Sequence, residues 1–198
     1  GKVIVYFTQF LQAFYMLGQA GLGKEHARYE IVWVEDEMGE RIVDGTQVDL
    51  RRLCVCRIRE YAERRVNQLK KKDRKNMLVF QTPTSIKHEG KFIRQFSAEA
   101  LLRSLTRRIY CLDLFEALEG TEKLLLDDDL PEIVFQKNVL AEITRYSSTQ
   151  DEKMKLRGIK GKVRFDELSD ELLLLFAAGE KLHIGKNTSF GFGKYIIL

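Results

Sequence analysis

The chain carries only 2 prolines and 3 cysteines in 198 residues. So few prolines exclude proline-rich linkers and collagen-like order. So few cysteines exclude a disulfide scaffold, and Cys54 and Cys56, one residue apart, lack metal-ligand spacing. A reducing, cytoplasmic setting without a metal site is therefore expected. No apolar run reaches membrane-spanning length, and the first residues show no charged region leading into a signal-peptide core, so no membrane partner is expected. The chain begins with Gly1 rather than methionine, which reads as a trimmed fragment. With 44% hydrophobic and 31% charged residues, the composition is that of a chain with a sizeable core rather than a disordered one.

A net charge of +4 is too small to mark a nucleic-acid binder, but it hides segregation. Arg51 to Lys75 holds eleven basic residues against three acidic ones. A second basic stretch runs from Lys137 through Arg145, Lys153, Lys155, Arg157, Lys160 and Lys162 to Arg164, and an acidic stretch from Asp113 to Glu132 separates the two. Solvated helix faces account for any single run; two runs in one small chain favour attraction to a polyanion, because clustered cations release its counterions.

Val3 to Leu17 is a long apolar run that predicts a buried helix, and Tyr29 to Glu35 alternates like a strand. Residues 1–50 read as the C-terminal part of a first unit, and 51–76 as a basic linker or exposed element. From Met77 the order is strand, helix, strand, strand, helix, strand. The first of these helices is expected from Ser97, a good N-cap, to Leu118. That order predicts an α+β fold over 77–198: a ferredoxin-like antiparallel sheet with helices on one face. The opening segment echoes its end. Both segments close a helix at glycine, pass a G-x-G-Lys tract (Gly21 to Lys24, Gly191 to Lys194) and enter a strand led by tyrosine, Tyr29 or Tyr195. Part of a second ferredoxin-like unit is therefore expected at the front.

Gly18 to Lys24 has the spacing of a nucleotide-binding P-loop, but Glu25 stands where that motif needs Ser or Thr for magnesium, and the loop follows a helix instead of opening one. The second loop, His183 to Lys194, is richer. Its glycines predict backbone amides open to phosphate. Lys186 and Lys194 add charge, Asn187, Thr188 and Ser189 add hydrogen bonds, and Phe190 or Phe192 offers a ring to a base or fills the core.

With HIGKNTSFGFGKY at the end, GLGKEHARYEI near the front and TPTSIKHEGKFIRQFSAEALLRSLTRRI between them, the chain resembles the C-terminal region of CRISPR-associated repeat-RNA endoribonucleases of the Cas-six type, within the repeat-associated mysterious protein superfamily. The resemblance implies tandem ferredoxin-like domains, a glycine-rich loop after the last helix, and cutting of precursor CRISPR RNA within its repeats without a metal or cofactor. It names repeat RNA as the partner and other CRISPR-associated subunits as a second class. Many members place a catalytic histidine or tyrosine in the front half of the first domain, which has no counterpart here.

Metal-free RNA cleavage needs a base for the 2′-hydroxyl, an acid for the leaving 5′-oxygen and positive charge for the pentacoordinate phosphate. Of the three histidines, His183 adjoins the glycine loop, with Lys186 nearby for charge; it either moves a proton or packs to shape the loop. His26, with Lys24 and Arg28, either touches RNA or is a surface histidine. His88 reads as a hairpin tip. Arg107 and Arg108 diverge by about 100° on a helix, and either reach phosphate or pair with Glu116 or Asp113. Asn187, Thr188 and Lys194 complete the RNA-contact set. A non-catalytic RNA-binding subunit and a generic interaction domain are the rival readings.

Overall fold

A computed structural model describes residues 2–23, 25–71, 76–115, 130–147 and 152–198. The chain divides into two units, Gly1–Arg57 and Ile58–Leu198.

In the first unit a short 3-10 turn (Lys2–Tyr6) leads into α1 (Phe7–Ala20), followed by β1 (Trp33–Glu35), β2 (Arg41–Asp44) and β3 (Gln47–Val48) in an antiparallel sheet of that order. The turn between β1 and β2 closes on Asp36. Desolvation pushes its carboxyl up, but backbone N–H groups donated by Glu40, Met38, Cys54 and Gly39 hold it below the usual range on balance. Ile42 and Val43 form the small core. The buried helix expected at the front is a helix but is not buried: Phe14, Tyr15 and Met16 are 57%, 60% and 61% exposed, and Gly18 is the buried residue of α1. Three strands of two to four residues offer too little surface to cover the wide apolar side of this helix, whose polar stripe is only Thr8, Gln12 and Gln19. The strand expected from Tyr29 starts only at Trp33, because the preceding backbone bonds elsewhere: Tyr29 N–H donates to Gly18 and Val32 C=O accepts from Gly45.

The second unit opens with α2 (Ile58–Lys70), inside the stretch read from sequence as a linker or exposed element. Its buried residues Ala62, Val66 and Leu69 form one stripe of helical spacing that packs on α4, described next; the surrounding charges mask that stripe in the sequence. Then come β4 (Met77–Thr84), the hairpin β5 (Lys87–His88) and β6 (Lys91–Phe92), α3 (Ala98–Phe115), β7 (Ile133–Ser147), β8 (Glu152–Phe165), α4 (Asp170–Leu182) and β9 (Tyr195–Ile197). The Ser97 hydroxyl accepts from Ala100 N–H at the start of α3, and Ser169 accepts from Leu172 N–H at the start of α4. The sheet runs β7-β8-β4-β9 with every neighbouring pair antiparallel. The first strand of the βαββαβ run is thus central and lies beside the last, which is the ferredoxin-like topology. Leu78, Phe80, Ile159 and Val163 of the sheet meet Leu101, Leu105, Leu173 and Phe176 of the helices in one core.

One tyrosine device recurs in both units. Tyr195 packs over Gly179 so closely that a Cβ there would stand 2.1 Å from its hydroxyl, and the hydroxyl donates to Phe176 C=O at 2.7 Å. Tyr29 packs over Gly18, and its hydroxyl donates to Phe14 C=O at 2.6 Å. Burial first, then the charge of Glu180 and the phenol of Tyr61, push the Tyr195 phenol well above its ordinary range, so it remains a proton donor. Glu180 is itself buried and satisfied by Arg65 at 2.9 Å, Tyr61 Oη at 2.8 Å and Ile197 N–H at 2.6 Å. This cluster ties α2, α4 and β9 together ahead of the terminal loop.

Candidate nucleic-acid interface

The loop from His183 to Lys194 joins α4 to β9, and its seat is the far end of β4. β4 leaves the register of β8 between Phe80 and Thr84, and the freed backbone turns to the loop. Gln81 and Thr82 N–H donate to Lys194 C=O, and Thr82 Oγ1 accepts from Lys194 N–H at 2.9 Å. Pro83 C=O accepts from Gly193 and Ser85 C=O from Lys186. The Thr-Pro strand and the glycine loop, more than a hundred residues apart, therefore form one backbone-bonded piece. Two glycines make the fit: a Cβ at Gly193 would lie 1.9 Å from Ile184 O, and one at Gly185 would lie 2.5 Å from Ser85 O.

The expectation that the loop opens its amides to phosphate needs correction. The N–H groups of Ile184, Lys186 and Phe190 through Lys194 are all spent inside the protein, because the loop must satisfy its own backbone where it folds against β4. Among the described residues, the N–H groups of Gly185, Asn187, Thr188 and Ser189 remain without an acceptor. Asn187 is left-handed (φ 63°) and leads into the 3-10 turn Thr188–Phe190. That sequence of conformations turns successive amides to one side, the geometry of an anion-binding concavity.

His183 caps α4 with φ 59°. Its Nδ1 lies 3.1 Å from Phe192 O. A carbonyl only accepts, so Nδ1 carries the proton in this contact and Nε2 is the atom left for chemistry. Arg108 Nε donates to Leu182 O at 3.3 Å, which brings a fixed positive charge to the helix end that bears His183. Arg107, the preceding residue on α3, is exposed. The ammonium of Lys186 lies 6.0 Å from the centre of the Phe92 ring, leaning toward the β5–β6 hairpin.

The two loop phenylalanines divide. Phe192 is buried, whereas Phe190 is 45% exposed beneath the guanidinium of Arg145, 4.3 Å from its ring centre. Arg145, at the distal part of the long β7–β8 hairpin, was not a candidate from sequence, where it is one of many cations; only the fold brings it to the loop. His88 behaves as the hairpin reading expects: Glu89 and Gly90 at φ 47° and 79° form a two-residue turn, and the imidazole faces Glu99 at 3.5 Å. His26 and Arg28 are exposed in the first unit, and Lys24 lies outside the described residues. The structure thus groups His183, Arg108, Asn187, Thr188, Lys186 and Lys194 on or beside one loop. Of the partners considered for the arginine pair, Glu116 lies outside the described residues, and no ion pair joins either arginine to Asp113 among those described.

These features define a ferredoxin-like protein whose last helix and last strand are joined by a glycine-braced, basic loop. The profile of CRISPR-associated endoribonuclease Cas6 matches residues 78–195, more than half of the chain, and the chain belongs to that family. Among solved structures, a partial Cas6-RT-Cas1–Cas2 complex matches with a TM-score of 0.53 at 14% identity, covering 80% of this chain and 29% of that one. A Cas6 product complex matches at 18% identity with a TM-score of 0.40, and the Thermus thermophilus Cas6 at 14% with a TM-score of 0.38. Each covers 67% of this chain, which spans 56% and 57% of theirs. No curated protein matches the chain. Among the described residues no helix is long and apolar enough to cross a membrane.

Proposed function

We propose that the chain binds CRISPR repeat RNA at the His183–Lys194 loop and serves a metal-independent cut in precursor RNA. The observation that carries this reading is the His183 imidazole, oriented through Nδ1 by the Phe192 carbonyl beside unspent amides and the Arg108 charge. In such a reaction a base takes the 2′-hydroxyl proton, the 2′-oxygen attacks the adjacent phosphorus, and the 5′-oxygen leaves with a proton. Neutral His183 accepts a proton at Nε2; protonated, it donates one from the same atom. Lys186 and Arg108 supply positive charge for the developing phosphorane. Asn187, Thr188 and Lys194 hold the neighbouring backbone, and other CRISPR-associated subunits are the second class of partner.

The test is His183→Ala in the full chain with the repeat RNA of the source's own array, in chelator. Cleavage should slow by about a hundredfold or more while RNA affinity holds. A non-catalytic RNA-binding subunit is the second reading, favoured by the same imidazole bracing the loop through the Phe192 carbonyl: as a mere brace, its loss lowers melting temperature and binding together. Undiminished cleavage by a folded variant would exclude the catalytic role.

A further inference from the structure

The four-stranded sheet ends on two edges that are treated in opposite ways. One edge is β9, only Tyr195–Ile197, and side chains seal it. Ile197 N–H donates to the Glu180 carboxylate at 2.6 Å, and Ile197 C=O accepts from the Arg65 guanidinium at 2.7 Å. The other edge is β7, Ile133–Ser147, which pairs with β8 alone. Every second residue of such a strand turns its N–H and C=O away from its neighbour. Among the described residues, no backbone group of another strand or loop meets that outer side between 135 and 145.

The usual protections of an edge are missing from β7. It holds no proline, and its register with β8 is unbroken from Phe135 to Ser147. The pairing of β8 with β4 ends at Ile159 opposite Thr84, so residues 141–147 and 152–158 run on as a two-stranded ribbon. Two strands alone are marginally stable in water. Val139, Leu140, Ile143 and Tyr146 along this stretch are between 45% and 67% exposed. A long apolar edge is a template for another strand.

We propose that β7 is an interface with a second copy of this chain, paired antiparallel about Ile143, which joins two four-stranded sheets into one. The strand fits itself in that register. Ile143 stands opposite Ile143 of the second copy, and each has Leu156 opposite it in its own hairpin, so an apolar row of four crosses the joint. Glu142 then faces Thr144, Leu140 faces Tyr146 and Ala141 faces Arg145, each twice by the two-fold symmetry. No like charges meet. Pairing about residue 142 or 145 would set Glu142 or Arg145 against itself, and pairing about 141 would set Lys137 against Arg145. The stretch 139–147 carries one anion and one cation, so it does not repel its own copy, and the thin ribbon becomes four strands wide.

The experiment is sedimentation of the full chain up to about 100 μM, with mass read against concentration. The parent should dimerise. Ile143→Lys sets two ammonium groups face to face on the symmetry axis and should raise the dissociation constant about tenfold or more. Its fold is checked by the melting temperature at a dilution where parent and variant are both monomeric. Ile143→Cys gives an independent reading. Residues directly opposite across an antiparallel pair have Cα atoms ~4.5–5.5 Å apart, within disulfide reach. With oxidised glutathione as oxidant, the two introduced thiols should therefore link to each other, which peptide masses identify. Phe135→Cys, on the same strand outside the paired stretch, should not link to its copy. A parent that stays monomeric, a dimer indifferent to Ile143→Lys, or equal cross-linking by the two cysteine variants would overturn the inference.

Discussion

The two G-x-G-Lys loops look alike in sequence and are built in opposite ways. In the first, Gly21 is the clamped glycine: a Cβ there would lie 2.3 Å from His26 O, while Gly23 faces open space. In the second, Gly191 faces open space and Gly193 is clamped against Ile184 O. The first loop closes on itself through the Leu22–Ala27 bridge. The second closes on β4, through Pro83 and Ser85. What the units do share is the tyrosine over a helical glycine, donating to a helix carbonyl (Tyr29 on Gly18, Tyr195 on Gly179). The repeat is therefore real at the helix–strand joint and superficial in the loops, where the available partners differ.

The sharpest way to break this contrast is to exchange the glycines. Gly193→Ala should cost about 3 kcal/mol, since its Cβ would meet the backbone of Ile184, which must move, on top of the strain of a positive φ. Gly23→Ala carries only the strain of its positive φ, about 1 kcal/mol. Chemical denaturation measures both, and equal losses would end the distinction.

Removing the two hydroxyls should give smaller and still unequal effects. Tyr195→Phe takes a donor from a buried carbonyl contact and should cost about 1–2 kcal/mol. Tyr29→Phe, whose bond lies near solvent, should cost about 0.5 kcal/mol. Similar losses would mean that the two joints are equally load-carrying despite their different burial.

The smallest effect is a pH dependence. Because the folded protein raises the Tyr195 phenol above its unfolded value, folding favours the protonated form. That contribution is complete below the unfolded value of about 10 and is lost as pH rises toward the higher folded value. The parent should therefore lose stability on the alkaline side faster than Tyr195→Phe, read as the difference between two melting curves; parallel curves would remove Tyr195 as the cause.

Much of the second unit is legible in its residues. Ser97 and the Leu101, Leu105 spacing mark α3, a short apolar run marks β4, alternation marks β8, and the element order alone implies the sheet in which β4 and β9 are neighbours. α2 is not legible, because three buried residues among six charges carry its whole packing signal. The site is legible by half: His183, Lys186, Asn187, Thr188 and Lys194 cluster in sequence, whereas Arg108 and Arg145 reach the loop only through the packing of α3 and the length of the β7–β8 hairpin.

Local pattern by itself determined most helices and strands of the second unit, where the cations gather and which loop holds the histidine, because period, capping and charge are properties of neighbours along the chain. Only the tertiary structure decided which amides are spent, which glycine is indispensable, which ring nitrogen of His183 is committed and which edge of the sheet is left open. Each of these depends on a partner the fold supplies: Ser85 against Lys186 and Lys137 against Lys162 come from distant segments, while Ile184 meets Gly193 and His183 meets Phe192 because the loop folds back on itself. Backbone hydrogen bonds and cross-strand register are set by the whole sheet, and local pattern does not specify which partners meet.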